Sequence, residues 1–279
     1  MKKIGLAMCI ALCFSACSDG GEKKAQQFLK QAEQSLAAAQ FSEAKLQIDS
    51  IRILYPKAFE ARKKGIKLMQ QIDLKEQQRN VAYLDSMLAL KQEMLDKLKE
   101  HFVLEKDTAY QEIGNYFYPT QVVEKNIGRS FLRAQVNELG EMSMTSIYCG
   151  GRSLHHTVVK VSAGDVFAET PSSKDMYETK DLGRPIEKAD YKLGEDGGVI
   201  SFIHANKDKQ IKVKFIGDKY YVTQMHPNDR KAFAEVVELA SVLSSMEQMR
   251  KEKKEANLKI QFVTRKMNES KQEQDKEAK

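Results

Sequence analysis

The sequence has 279 residues, enough for one large domain or two ordinary ones. Its 42% apolar and 30% charged residues, absent tryptophan and five prolines point to a helix-rich folded protein and against a proline-punctuated sandwich along the full length. The 45 basic and 39 acidic residues give a formal charge of +6 with the two signs interspersed. No basic cluster interleaved with aromatics is evident, so no nucleic-acid partner is expected.

Met1-Lys2-Lys3 followed by the apolar run Ile4 to Phe14 reads as an export signal over residues 1–16. The run is shorter than the roughly 20 residues that a membrane-spanning helix needs. Phe14-Ser15-Ala16-Cys17 resembles the bacterial lipobox, in which small residues precede an acceptor cysteine, although Phe14 stands where Leu is usual. The resemblance implies lipidation of Cys17, with the membrane as partner through the N-terminal lipid, and palmitate among the acyl chains. Each buried methylene adds about 0.8 kcal/mol of membrane affinity, so a multiply acylated terminus holds firmly. Loss of the leader removes Lys2 and Lys3 and leaves 43 basic and 39 acidic residues, a net of +4. Residues 17–24 form a polar tether without an Asp directly after the cysteine, which implies an outer-membrane location, on the periplasmic or the surface face.

Residues 25–104 are expected as a helical hairpin plus a long helix. Phe28, Leu29, Ala32, Leu36 and Ala39, then Ala44, Leu46, Ile48, Ile51 and Leu54, recur at helical spacing. Ser42 is placed to cap the second helix, and Tyr55-Pro56 ends it. Ala32, Leu36, Phe41, Glu43-Ala44, Ile51 and Pro56 resemble a single tetratricopeptide unit, with Ala39 standing where Gly is usual. Such units bury their faces by stacking, and no second unit follows. From Lys57 to Phe102, Val81, Leu84, Leu88, Leu95, Leu98 and Phe102 form a coiled-coil-like seam. A matching helix over 227–267, opened by Pro227, carries Phe233, Val236, Ala240, Leu243 and Met246. The two helices are expected to pair antiparallel, with self-association into a homo-oligomer as the rival. The tail 268–279 is expected to lack structure.

Between the helices, over 105–226, the period changes to two. Residues 130–136, 157–161 and 199–203 read as strands, and 211–216 with 219–223 as a hairpin joined by Gly217-Asp218. Residues 198–224 thus look like a three-stranded meander, and 165–190 like a long irregular loop. The fold class is α+β: a helical hairpin and two long helices flanking an antiparallel β domain, either a sandwich or an open barrel.

One constellation invites a catalytic reading: Cys149 followed by Gly150-Gly151, with His155 or His156 as base. The same residues read as a strand end and a turn, with no orienting Asn or Asp, so no catalytic residue is assigned. His155 and His156 are expected to alternate across a strand and point to opposite faces. No metal or cofactor is therefore expected. Gly194 to Gly198 reads as a turn, since a phosphate loop would need a helix after it. Tyr116, Tyr118, Tyr148, Tyr220 and Tyr221 form the candidate binding surface, because tyrosine offers a broad apolar face with a polar tip. The expected role is non-catalytic binding of a protein or glycan partner, or assembly in the envelope. The rivals are a cysteine-dependent enzyme and a self-assembling coiled-coil protein.

Overall fold

The computed structural model describes residues 18–277, with side chains over 21–273, so the expected leader and Cys17 lie outside the described residues. The helices are α1 (Ser18–Ala37), α2 (Phe41–Leu54), α3 (Phe59–Lys99), α4 (Val199–Ala205) and α5 (Pro227–Glu277). The first five strands are β1 (Val103–Glu105), β2 (Asn115–Phe117), β3 (Phe131–Asn137), β4 (Met142–Cys149) and β5 (Val158–Ala163). The other five are β6 (Val166–Glu169), β7 (Met176–Asp181), β8 (Arg184–Lys192), β9 (Lys212–Ile216) and β10 (Tyr220–Gln224). The fold is α+β, as the change of period implies. The chain divides into two compact units, one running to residue 85 and resuming at 251, the other spanning 86–250. No described helix is long and apolar enough to cross a membrane.

In the first unit, α1 and α2 form the expected hairpin, and their apolar stripes meet the start of α3. Ala25, Leu29, Ala32, Ala44, Ile51, Ala61 and Ile72 are buried together. Residues 18–24, expected as a tether, are instead the opening of α1. Glu22 Oε1 accepts the Ala61 amide of α3 at 2.8 Å, which satisfies a donor that the first helical turn would otherwise leave free. The expected Ser42 cap is also corrected: α2 begins at Phe41, and Gln40 precedes it without a side-chain cap. The turn is specified by the end of α1. Gln40 N–H reaches the Ser35 carbonyl (2.8 Å) and Ala39 N–H the Leu36 carbonyl (3.1 Å), a Schellman closure with Ala39 in the left-handed region at φ 56°. Within this unit Lys253 of α5 is paired with Asp85 of α3.

The tail expected to lack structure is helical to Glu277. Its Glu, Lys and Gln residues are strong helix formers even without an apolar stripe, and Lys266 pairs with Glu269 one turn on at 2.8 Å.

The second unit holds two antiparallel sheets, one of six strands in the order β1-β2-β3-β4-β8-β7 and one of four in the order β10-β9-β5-β6. Their inner faces share one core with α4, α5 and the end of α3, including Met144, Tyr148, Val161, Phe215, Ile200, Phe233, Leu239 and Leu95. Two separate sheets favour the sandwich expectation over a barrel. Three expectations fail here. The region 165–190 is not a loop: it carries β6, β7 and all but the last two residues of β8. The inward side of β8 consists of Pro185, Glu187, Ala189 and Tyr191, so a carboxylate and a small residue hide the alternation. Residues 199–203 are helix rather than strand. Val199, Ile200 and Ile203 are the buried positions, a helical spacing that overrides their β-branched preference, so the meander is a helix followed by a hairpin. The hairpin link has three residues, since Ile216 pairs with Tyr220. Gly217 stands there because a Cβ would lie 2.3 Å from the Leu154 and His155 carbonyl oxygens.

Two substitutions test these local readings. Ala39→Gly removes the left-handed penalty on a Cβ-bearing residue and should raise unfolding free energy by up to about 1 kcal/mol in chemical denaturation. Gly140, at φ 83° in the turn between β3 and β4, presses on α5, where a Cβ would lie 2.2 Å from Ser244 N. Gly140→Ala should cost at least about 2 kcal/mol in the same assay.

Candidate functional site

The five tyrosines do not form one surface. Tyr116 and Tyr148 are buried in the core, at 5% and 3% exposure, which corrects their assignment to a binding face. Tyr118 is half-buried against Phe102, with ring centroids 5.9 Å apart. Tyr220 and Tyr221 are exposed and sit on opposite sides of β10. Tyr221 leans on Tyr148 (5.4 Å) and Phe215 (6.2 Å), and Tyr220 lies beneath Lys214, whose Nζ is 4.3 Å from the ring.

Cys149 ends β4 as expected, but the pleat separates it from both histidines. Ser146 and Tyr148 point inward from β4, so Ile147 and Cys149 occupy the opposite face. His156 packs inside against Tyr148 and Phe215. His155 pairs with Glu178, which is opposite the inward Glu187. Neither histidine is on the cysteine's side. The two histidines do diverge, though they precede β5 rather than lie in a strand, and His155 has φ 54°.

Sequence reasoning missed the polar group that His156 does join. His156 Nδ1 lies 3.0 Å from Glu187 Oε2, and its Nε2 lies 2.8 Å from Ser146 Oγ. Burial pulls the imidazole pKa down against the opposing pull of Glu187. With Nδ1–H donating to the carboxylate, the neutral ring turns Nε2 to the Ser146 hydroxyl, which also lies 3.2 Å from the Ala189 carbonyl as a second acceptor. That connectivity matches a serine-hydrolase triad, yet Ser146, His156 and Glu187 are 0, 2 and 2% exposed, so solvent does not reach the hydroxyl. The group acts as a clamp. Glu187 Oε1 accepts Leu154 N–H at 2.6 Å and Oε2 accepts His156 N–H at 3.0 Å. Burial pushes the Glu187 carboxyl up, but these donors outweigh it and hold the pKa below its ordinary value.

His155, Glu178 and Glu187 also bring three ligand atoms within 4.8 Å of one another, the one such group among the described residues. Glu187 is already spent on backbone donors and His156, which leaves an exposed His155–Glu178 pair with too few free ligands for a metal. The turn at Gly194 to Gly198 does lead into a helix, contrary to expectation. Its Asp196 side chain already takes Ile200 N–H (2.7 Å) and Gly194 N–H (3.1 Å), and a carboxylate in that position repels an anion.

The outer face of the six-stranded sheet carries a cleft of about 770 Å³, walled by residues 171–175. Its floor is two cross-strand rows, Arg133–Thr145–Asp190 and Gln135–Ser143–Lys192. Thr145 hydroxyl donates to Asp190, and Gln135 Nε2–H donates to Ser143 Oγ at 3.0 Å. The Arg133 guanidinium lies over the Phe117 ring at 4.6 Å, and its Nε–H is buried without a hydrogen-bond partner. Burial lowers the Arg133 pKa against the pull of Glu105 and Asp190. Alternation of Lys188, Asp190 and Lys192 with Glu187, Ala189 and Tyr191 was the available signal, lost when this stretch was read as loop. No family model, curated protein or solved structure matches this chain.

The clamp predicts acid sensitivity. His156 has a folded value below its ordinary 6.5, so its stabilising contribution is present above that value and is lost as pH falls. His155, raised by Glu178 but exposed, slopes the opposite way over the same window. Asp229, raised by burial against Arg129, acts only in the carboxylate range. In a His155→Gln background, the thermal midpoint should fall between pH 7 and 5, and adding His156→Gln should flatten that slope. Glu187→Gln, which turns an amide NH2 toward N–H donors, should cost at least about 3 kcal/mol by denaturant melts.

Proposed function

We propose that this chain is an exported envelope lipoprotein, acylated at Cys17, whose role is non-catalytic binding by the β unit. The address rests on the basic start, the apolar run and the lipobox-like Phe14-Ser15-Ala16-Cys17. The binding role rests on the cleft, and one observation carries it: the Arg133 guanidinium lines a floor of hydroxyl, amide and charged side chains drawn from three adjacent strands. The Nε–H is closed off from solvent, but Arg133 lines the cleft and its guanidinium charge is what an anionic ligand group would pair with there. The cleft volume falls in the range of small-molecule sites, and its polar lining suits a hydroxylated ligand with an anionic group facing Arg133.

Two measurements test the reading. Metabolic labelling should attach palmitate to the wild-type protein and not to Cys17→Ala, which should leave the membrane fraction. An unlabelled wild type would sink the anchor. In thermal-shift titrations, glucuronate should stabilise the protein more than glucose, and Arg133→Gln should abolish the difference. Equal shifts in wild type and variant would remove the cleft from the account.

A further inference from the structure

The outer face of the four-stranded sheet makes no part of the cleft, and its cross-strand register is electrostatically unfavourable by itself. Lys160 on β5 stands directly opposite Lys214 on β9, with Glu169 beyond Lys160 on β6 and Val222 beyond Lys214 on β10. Like charges directly opposite on one face destabilise a sheet. The next row is Phe167, Ser162, Lys212 and Gln224, and the row on the other side is Val158, Ile216 and Tyr220. One face therefore presents three ammonium groups against a single carboxylate, Glu169, which is 3.6 Å from Lys160 Nζ. Exposed apolar groups surround them: Phe167 at 59%, Tyr220 at 61% and Val222 at 47%.

The two opposed lysines lean apart. Lys160 Nζ sits 3.6 Å from the Phe167 ring centroid and Lys214 Nζ sits 4.3 Å from that of Tyr220. Each edge of the face thus offers a cation beside an aromatic ring, with the apolar pair Val158 and Ile216 continuing the row of Tyr220. At about 4.8 Å between strands and 6.7 Å between same-face residues, the two stations lie roughly 20 Å apart across the diagonal. The expectation of no basic, aromatic-flanked cluster does not hold for this face, because residues from four separate strands assemble it.

We propose that this face binds an acidic polysaccharide, laid in extended form from the Tyr220–Lys214 station to the Phe167–Lys160 station. Sugar rings stack on the two aromatic faces, and uronate or sulfate groups lie between the opposed lysines and relieve their repulsion. The cations are all lysines, point charges that suit dispersed anionic groups, whereas a nucleic-acid surface favours the bidentate fork of arginine. The face is shallow, which suits an extended polymer more than a protein side chain that needs a pocket. The choice of polysaccharide over nucleic acid leans on the export reading; the geometry does not use the cleft.

The test uses the full-length protein in detergent micelles, with polygalacturonate as probe and dextran as neutral control. Polygalacturonate should bind with an affinity that falls as salt rises, and dextran should not bind. Lys160→Gln/Lys214→Gln should weaken binding about tenfold or more, and Tyr220→Ala should weaken it severalfold. Arg133→Gln should leave it unchanged, which separates this surface from the cleft. The double lysine variant removes the like-charge pair along with one exposed Lys160–Glu169 ion pair, so its thermal midpoint should change little and loss of binding cannot be ascribed to unfolding. Absence of binding, equal binding by wild type and the double lysine variant, or an oligothymidylate bound more tightly than polygalacturonate would each overturn the proposal. A full effect of the lysines with none from Tyr220→Ala would overturn the stacking arrangement and leave bare electrostatics.

Discussion

Glu187 is a carboxylate removed from water in the middle of a β-sheet, and the second unit is arranged to make that tolerable. An isolated buried charge would cost many kcal/mol, so its oxygens must be met by donors in fixed positions. The backbone of Leu154 to His156 supplies them, together with the His156 ring, and that segment leads directly into β5 of the other sheet. Glu187 itself lies on β8 of the six-stranded sheet. A single side chain thus fixes where the four-stranded sheet starts relative to its neighbour. Several nearby features follow from it. Gly217 must lack a Cβ because the Leu154–His155 carbonyls pass close by, and Asp218 N–H closes onto the Leu154 carbonyl at 2.9 Å. His155, the residue between the two gripped amides, takes a left-handed backbone that turns its ring outward to Glu178.

A second polar anchor serves the other end of the unit. Asp229, in the first turn of α5, is 1% exposed and meets Arg129 at 2.5 Å and Gln121 at 3.4 Å. Gln121 in turn spans to β3, donating to the Leu132 carbonyl and accepting Ala134 N–H at 2.7 Å. The connection between β2 and β3, which carries only a short 3₁₀ turn at Val123–Lys125, is held by these bonds in place of a sheet ladder. An acidic residue there is also favoured by the helix dipole.

How much of this was legible follows from which side chains carry the pattern. The hairpin of α1 and α2, the long helices and β3, β5 and β9 announce themselves because their buried positions are apolar and periodic, and β10, which buries none, because Tyr220-Tyr221-Val222-Thr223 has high β propensity. β8 does not, since Glu187 and Ala189 occupy inward positions. α4 does not, since Val199-Ile200 and Ile203 read equally as a strand run when the helical spacing goes uncounted. The candidate surfaces fail for a different reason. Arg133, Thr145 and Asp190, and likewise Lys160, Lys214 and Tyr220, are distant in sequence and meet only through strand register, which hydrophobic period does not encode. Tyrosine content drew attention to Tyr116 and Tyr148, whose rings serve the core instead.

The shared carboxylate also bears on how the unit comes apart. If the four-stranded sheet detached alone, Glu187 would be stranded inside the six-stranded sheet without its amides; if β8 frayed first, Leu154 and His156 would lose their acceptor. Neither sheet can open without penalising the other, so the two should melt as one foldon. The amides of Leu154 and His156 should then exchange with solvent deuterium only through that concerted opening, while those on the outer edges of β7 and β10 exchange freely.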